Sequence, residues 1–336
     1  MIKSNIFYIN NLKNIVFIGE HGSLGELIKI NKSLKLNSKI VTSKDQALSL
    51  KNQKLEFKIF NTLNESFKKF VKKDFKIDET LFLSVRSRWI FKKKDIGKFF
   101  KYNLVNYHPS RLPIYSGAAD VSWRIMSGDR IDCQVFHIVD RNIDTGAVII
   151  YKNSILPENY IKPKHLIEYS NKKIIDIYKE FITQLKKKKK FKLQKQNQYL
   201  SKYHPRLYTK INGWIDWSYK SEKLIRFINA FETPYQGAST TYKNKRVYLK
   251  DVQIHGGEIA SHPYMSGLII RKEKDWIIVS TVDENFLIIK SVINDKGKNI
   301  IGNTKVGDRF VTSNINILKS KLIRPKIGPK GLIKKL

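Results

Sequence analysis

One cysteine, Cys133, occurs in the 336 residues. That excludes an internal disulfide, leaves no thiolate set for a structural zinc ion and fits a reducing compartment. Long apolar runs are missing too, since nothing approaches the roughly 18–20 consecutive residues that a membrane span needs. Residues 1–14 mix Lys, Asn and Ser into their apolar positions without a small-residue cleavage site. No secretory signal is read there, and a cytoplasmic location is expected. The seven histidines show no metal-ligand spacing, so no metal is expected. Gly19, Gly22 and Gly25 miss the dinucleotide-binding spacing and read as turn and packing glycines. Ser110 lacks the glycines of a nucleophile elbow, which argues against a serine hydrolase. Acidic residues are scarce, 29 against 64 Lys and Arg, for a formal net charge of +35. Such an excess suits nucleic acid. Arginine supplies little of it, however, and lysine is spread along the whole chain beside abundant Asn and Ile, as AT-rich coding produces unaided.

What is present is enough for a sizeable interior: 41% of residues are hydrophobic, and the length suits two domains. The first half alternates strand-like and helix-like runs, which predicts an α/β domain around an open, largely parallel sheet. Strands are expected at 14–18, 39–42, 57–60, 80–85, 103–107, 133–139 and 147–151. Short helices are expected after Gly25 and at 118–126. A longer helix is expected from Pro163, with Ile167, Ile174, Tyr178, Phe181 and Leu185 on its apolar face. Residues 186–204 are strongly polar and read as a solvated linker. Beyond them, one helix near 222–231 and short strands at 246–249, 268–271, 276–280 and 286–289 predict a small barrel-like second domain. The expected division is 1–185, a linker 186–204, 205–316 and a frayed basic tail 317–336.

The informative stretch is Asn106-Tyr107-His108-Pro109-Ser110-Arg111-Leu112-Pro113, leading through Tyr115 to Gly117. A strand ends beside Pro109, and its alternation puts Asn106 and His108 on one face at the C-terminal end, where open parallel sheets bind ligands. The polar loop 140–146 can bring Asp144 to the same mouth. An amide, an imidazole and a carboxylate together suit acyl transfer to an amine. Asn106 and a protonated His108 can donate to a developing oxyanion, or His108 can shuttle the amine proton. Asp144 can orient His108, raise its pKa or take a proton through water. Cys133 reads as a core residue.

In these residues the chain resembles the 10-formyltetrahydrofolate-dependent formyltransferases. The family motif Asn-x-His-x-Ser-x-Leu-Pro, then a glycine and an Asp-Thr-Gly loop, is present as Asn106, His108, Ser110, Leu112, Pro113, Gly117, Asp144, Thr145 and Gly146. The resemblance implies a Rossmann-like catalytic domain followed by an OB-like C-terminal domain. It implies Asn106, His108 and Asp144 as catalytic residues and 10-formyltetrahydrofolate as formyl donor. The donor would lie against Arg86, Ser87, Arg88, Trp89 and Ile90, and against Val139, Asp140 and Ile143. The acceptor amine would lie near Ser110, Leu112, Pro113, Tyr115 and Gly117. The likeness continues through Trp214-Ile215-Asp216-Trp217-Ser218, Pro234-Tyr235-Gln236-Gly237-Ala238 and Gly307-Asp308-Arg309-Phe310, with Trp214 and Trp217 expected in a core or a domain interface. Two positions depart from the family: Ser116 stands where arginine is usual, and Asp120 where a proline follows two alanines. Both belong to the region where the acceptor should enter.

Three functions follow. The first is formylation of an amino sugar carried on a nucleotide, by an enzyme that resembles dimeric relatives. The second is formylation of methionyl-tRNA. The third is a non-enzymatic, basic nucleic-acid-binding protein. Methionyl-tRNA formyltransferases carry a long basic insertion after the second strand, whereas residues 43–56 here contain no Pro, Gly or Arg. The run Tyr203-His204-Pro205-Arg206-Leu207 is also similar to sugar-formylating relatives. The sugar reading is therefore preferred.

Overall fold

Strand β1 (Asn14–Gly19) is buried along its whole length. Ile15 and Phe17 enter one apolar cluster while Val16 and Ile18 enter another. A strand apolar on both faces needs cover on both faces, which helices supply in α/β folds. The computed structural model describes residues 5–118, 121–256 and 262–333. Strands β2 (Asn37–Thr42), β3 (Lys58–Ile59), β4 (Thr80–Val85), β5 (Leu104–His108), β6 (Ile131–Ile138) and β7 (Val148–Ile155) join β1 in a seven-stranded sheet. Its order is β3-β2-β1-β4-β5-β6-β7. The strands run parallel from β3 through β5, and β6 and β7 are antiparallel.

Helices α1 (Leu24–Ser33), α2 (Ala47–Asn52), α3 (Glu65–Lys72), α4 (Lys93–Lys98), α5 (Ser122–Ser127) and α6 (Pro163–Lys186) complete the first domain. One face of the sheet packs on Leu24 and Leu27 of α1 and on α6 through Ile174, Ile177, Tyr178, Phe181 and Leu185. The other packs on Phe67 and Val71 of α3 and Ile96 of α4. The side chain of Asn64 caps α3 by accepting from Phe67 N. The first turn of α6 behaves differently, because Leu166 and Ile167 join the core of the second domain. One helix thus spans both interiors, and its apolar face is longer than one core requires.

The second domain holds α7 (Thr209–Asn212), α8 (Ser221–Ala230) and α9 (Asn314–Leu322). Its strands are β8 (Ala238–Tyr242), β9 (Lys245–His255), β10 (Ile269–Lys272), β11 (Ile277–Ser280) and β12 (Phe286–Asn294). They form an antiparallel sheet in the order β8-β9-β12-β11-β10. Residues 307–311 pair with both edges: Val311 exchanges backbone bonds with Thr241 of β8, and Phe310 N donates to Gly267 O just before β10. That segment closes the sheet towards a barrel and covers both open edges. Phe310 lies inside, its ring stacked 6.0 Å from that of Trp217. Trp217 is therefore a core residue, while the half-buried Trp214 carries the Arg246 guanidinium 4.2 Å from its ring centre.

The core of the second domain extends into the first. Val121 and Ile125 of the first lie in the same cluster as Leu224, Ile228 and Phe231 of the second. Ser122 Oγ donates to Ala230 O at 2.8 Å, and Lys162 bridges Glu232 and Asp251 at 3.2 and 2.7 Å.

Several elements differ from the sequence reading. Residues 43–56, read as a loop, contain a 3-10 turn (Lys44–Gln46) and α2, which buries Ala47 and Leu50. Strand β8 had no sequence signal beyond its small polar residues, and β9 and β12 run well past the apolar cores expected for them. Residues 186–204 are not a free tether. Phe191–Lys192 pairs with Ile6–Phe7, Gln194 exchanges both backbone bonds with Val148, and Tyr203–His204 pairs with Ser116–Gly117. A polar strap is suited to this, because sheet edges offer it backbone donors and acceptors. Nor is the region from 317 onward a frayed tail. Helix α9 is capped by Ser313, its last carbonyls at Ser320 and Ile323 accept from Asn212 Nδ2, and a hairpin of Lys326–Gly328 with Gly331–Ile333 follows. Among the described residues no helix is long and apolar enough to cross a membrane.

Truncation of Phe310→Ala should empty a fully buried position at the closure of the barrel. A loss of about 3–5 kcal/mol is expected in urea denaturation followed by fluorescence. A loss under about 1 kcal/mol would show that the 307–311 segment does not close that core.

Candidate active site

Strand β5 puts Asn106 and His108 on one face, and the register pairs Asn106 with His137 on β6. The turn after β6 then returns Asp144 to this face. The Asp144 carboxylate is the hub. Its Oδ2 lies 3.8 Å from His108 Nδ1 and accepts from Gly117 N at 2.9 Å. Its Oδ1 lies 3.5 Å from His137 Nε2 and accepts from Asn106 Nδ2 at 3.4 Å. The three residues singled out from sequence are thus brought together, and a fourth, His137, joins them. His137 carried no motif of its own, and only the pairing of β5 with β6 places it there.

Carbonyl partners settle which ring nitrogens carry hydrogen, because a carbonyl can only accept. His108 Nε2 is 2.7 Å from Tyr115 O and 2.8 Å from Ser110 Oγ, so Nε2 carries a hydrogen and Nδ1 is the nitrogen that faces Asp144. His137 Nδ1 is 2.9 Å from Ile138 O and so carries hydrogen, while its Nε2 lies 3.1 Å from Asn106 Nδ2 and 3.5 Å from Asp144 Oδ1. Asn106 therefore directs its amide hydrogens at His137 and Asp144. To bind an oxyanion it must re-aim one of them.

Burial pushes the Asp144 carboxyl upward, but His108, His137 and the Gly117 N–H together outweigh it and hold the group well below the ordinary carboxylate range. The carboxylate is ionised although its side chain is only 11% exposed. Two glycines make this geometry accessible. Gly117 has φ 84°, and a Cβ there would lie 2.6 Å from His204 O. At Gly146 a Cβ would lie 1.7 Å from Ile138 O, so only glycine lets the Asp144 turn fold flat against β6.

The residues expected to line a donor site flank this centre. Arg86, Ser87, Arg88, Trp89 and Ile90 follow β4, the parallel neighbour of β5. Gln46 Nε2 donates to Arg86 O, Arg88 pairs with Asp45 at 2.8 Å, and Trp89 N donates to Ser87 Oγ. Val139 N donates to Leu104 O, and Val139 and Trp89 pack against the same apolar cluster. Asp140 accepts from Thr145 Oγ1 and Asn142 N within its own loop. Ile90 and Ile143 remain 76% and 45% exposed.

The residues expected near the acceptor divide. Ser110 is fully buried and braces the ring of His108. Leu112 packs on Cys133, Val135 and Val148. Pro113 O accepts from Lys202 N, which ties this loop to the strap. Tyr115 is buried and stacks on His204 at 5.1 Å. Among these, Gly117 is the one that donates to the Asp144 carboxylate. Ser116, at the position where the family has arginine, is buried and bonded to Lys202 O at 3.1 Å. Asp120 lies outside the described residues. Cys133 is buried, and burial together with Asp132 pushes its thiol up to about 12, so it is chemically inert.

Known proteins similar to this chain are formyltransferases. Residues 91–162 match the family model described as formyl transferase, and residues 208–305 match that of the formyl transferase C-terminal domain. A methionyl-tRNA formyltransferase of Prochlorococcus marinus (strain MIT 9515) is 29% identical over 247 residues, 68% of this chain and 71% of that protein. One from Thermodesulfovibrio yellowstonii is 28% identical over 210 residues, 62% of this chain and 63% of that protein. Among solved structures, an N-formyltransferase from Helicobacter canadensis in complex with folinic acid and dTDP-3-aminofucose has a TM-score of 0.61 at 18% identity, over 83% of this chain and 99% of that one. A sugar 3N-formyl transferase crystallised in the presence of dTDP and 5-N-formyl-THF has a TM-score of 0.59 at 20% identity, over 84% of this chain and 98% of that one. The chain belongs to the formyltransferase family.

A depressed carboxyl has its stabilising contacts complete above the ordinary value of about 3.9 and loses them as pH falls towards its lower folded value. Parent and Asp144→Asn should therefore differ in urea stability by a constant amount between about pH 7 and pH 5, and by steadily less below about pH 4. A difference that stays flat into acid would exclude the ionised carboxylate as its source.

Proposed function

We propose that the chain transfers a formyl group from 10-formyltetrahydrofolate to a primary amine on a nucleotide-linked amino sugar. The observation that carries the transfer is the ionised, buried Asp144 facing His108 Nδ1 at 3.8 Å. The acid lies beside His108 Nδ1, and in the protonated ring that Nδ1–H can donate to the oxyanion formed when the amine attacks the formyl carbon. Expulsion of folate N10 then breaks the old C–N bond, the amine yields one proton, and N10 gains one. Asp144 is the group placed to accept that proton. The exposed Ile90 and Ile143 would cover the flat ring system of the donor, with Trp89 and Val139 supporting them from below.

Two observations support a small acceptor. Residues 43–56 hold α2 against the domain instead of projecting, tied by Ser49 to Glu20 and by Gln53 to His21 O. The two solved structures named above were crystallised with dTDP and with dTDP-3-aminofucose, and we carry that class of small ligand over to this chain. Methionyl-tRNA remains the second reading, favoured by the sequence relatives of that name and by the net charge of +35.

The test offers purified enzyme and 10-formyltetrahydrofolate either dTDP-linked amino sugars or charged initiator tRNA. Turnover of a sugar nucleotide with little tRNA formylation is expected, and the reverse would overturn the acceptor. His108→Ala should abolish transfer, and Asp144→Ala should lower kcat/KM by roughly a thousandfold or more while circular dichroism stays unchanged. Parent-like turnover in either variant would remove the assigned roles.

A further inference from the structure

The strap between the domains sends one side chain back to the catalytic acid. We propose that Gln196 is a positioning residue for Asp144, its side-chain amide clamping the two carbonyls of the turn so that the carboxylate is aimed at His108. The idea rests on the formyl-transfer reading of that carboxylate.

Gln196 Nε2 lies 2.8 Å from Asp144 O and 2.6 Å from Gly146 O. Both partners are carbonyls, so the amide nitrogen commits both of its hydrogens to the turn. Gln196 Oε1 is buried and finds no protein partner among the described residues, so the donors alone orient the group. The turn needs such a restraint. Asp144 has φ 55°, a left-handed backbone that a side-chain-bearing residue keeps only where its surroundings hold it. Gly146 is pressed against Ile138 O from one side, and the Gln196 amide draws its carbonyl from the other.

The clamp has a firm base. Two residues earlier, Gln194 N donates to Val148 O at 2.9 Å and Val148 N donates to Gln194 O at 2.8 Å, which docks the strap on β7. The groups facing the carboxylate itself are His108 and Asn106 from β5, His137 from β6 and the Gly117 N–H. Gln196 is not among them. It touches only the backbone of the turn, so its effect must pass through Asp144.

Two variants of the full chain test this. Gln196→Leu removes both donors, and Gln196→Glu keeps the shape while offering acceptor oxygens to two carbonyls. In both, the Asp144 carboxyl followed by 13C NMR should titrate at a higher pH than in the parent, because the released turn loses contact with His108, His137 and Gly117. With the sugar or tRNA substrate that the parent turns over, kcat should fall about 10- to 100-fold while both KM values stay within about threefold. An unmoved Asp144 titration would overturn the proposal, as would turnover within about twofold of the parent or a loss confined to KM. Gln196→Met replaces the leucine variant if that protein fails to fold. The NMR readout needs no substrate. A parent enzyme that transfers no formyl group would therefore sink the reading of the function and still leave the clamp decided.

Discussion

A charged carboxylate held out of water is costly unless its oxygens are satisfied, and the site is built around meeting that condition for Asp144. Each oxygen meets a ring nitrogen and one amide donor: His108 and Gly117 N on one side, His137 and Asn106 on the other. Removing any one leaves a buried charge short of a partner. The surrounding details follow from this demand. Gly117 and Gly146 carry no side chain because the loops must lie flush on their neighbours, and Ser110 and Tyr115 O fix the far nitrogen of His108 so that the near one faces the acid.

The same constraint explains the role of the chain between the domains. The Asp144 turn joins β6 to β7 at the antiparallel edge of the sheet, where β7 would otherwise leave unpaired backbone groups. The strap at 191–204 meets that edge at Val148 through Gln194, pins Gly117 through Tyr203–His204 and reaches the Asp144 turn through Gln196. The second domain packs on α5, which follows the Gly117 loop, in a continuous apolar cluster. It therefore stabilises the wall of the site from behind. Its burial against the first domain gives the connection a fixed course.

Much of this was legible in the chain. The continuous apolar runs of β1 and β4 and the 3- and 4-residue spacing in α6 reflect burial, which local sequence records because each position faces one environment. The Asn106–His108 pair and Asp144 were readable from their motif and from strand alternation. His137 and Gln196 were not. One depends on which residue of β6 lies opposite Asn106, the other on a polar strap finding a sheet edge, and neither leaves a pattern in its own neighbourhood. The polar run 186–204 and the basic end from 317 onward were misread for the same reason, since polar composition reports exposure to water and is silent about backbone pairing.

The sequence by itself determined the α/β architecture, the barrel-like second domain and the identity of the acid and the imidazole, because periodicity and a compact motif are local properties. Only the tertiary structure decided how that acid is kept ionised, which nitrogen of His108 faces it, and what holds its turn. Those depend on atoms from β5, β6, the Gly117 loop and the strap meeting within hydrogen-bonding reach, and such contacts exist only once the chain has closed on itself.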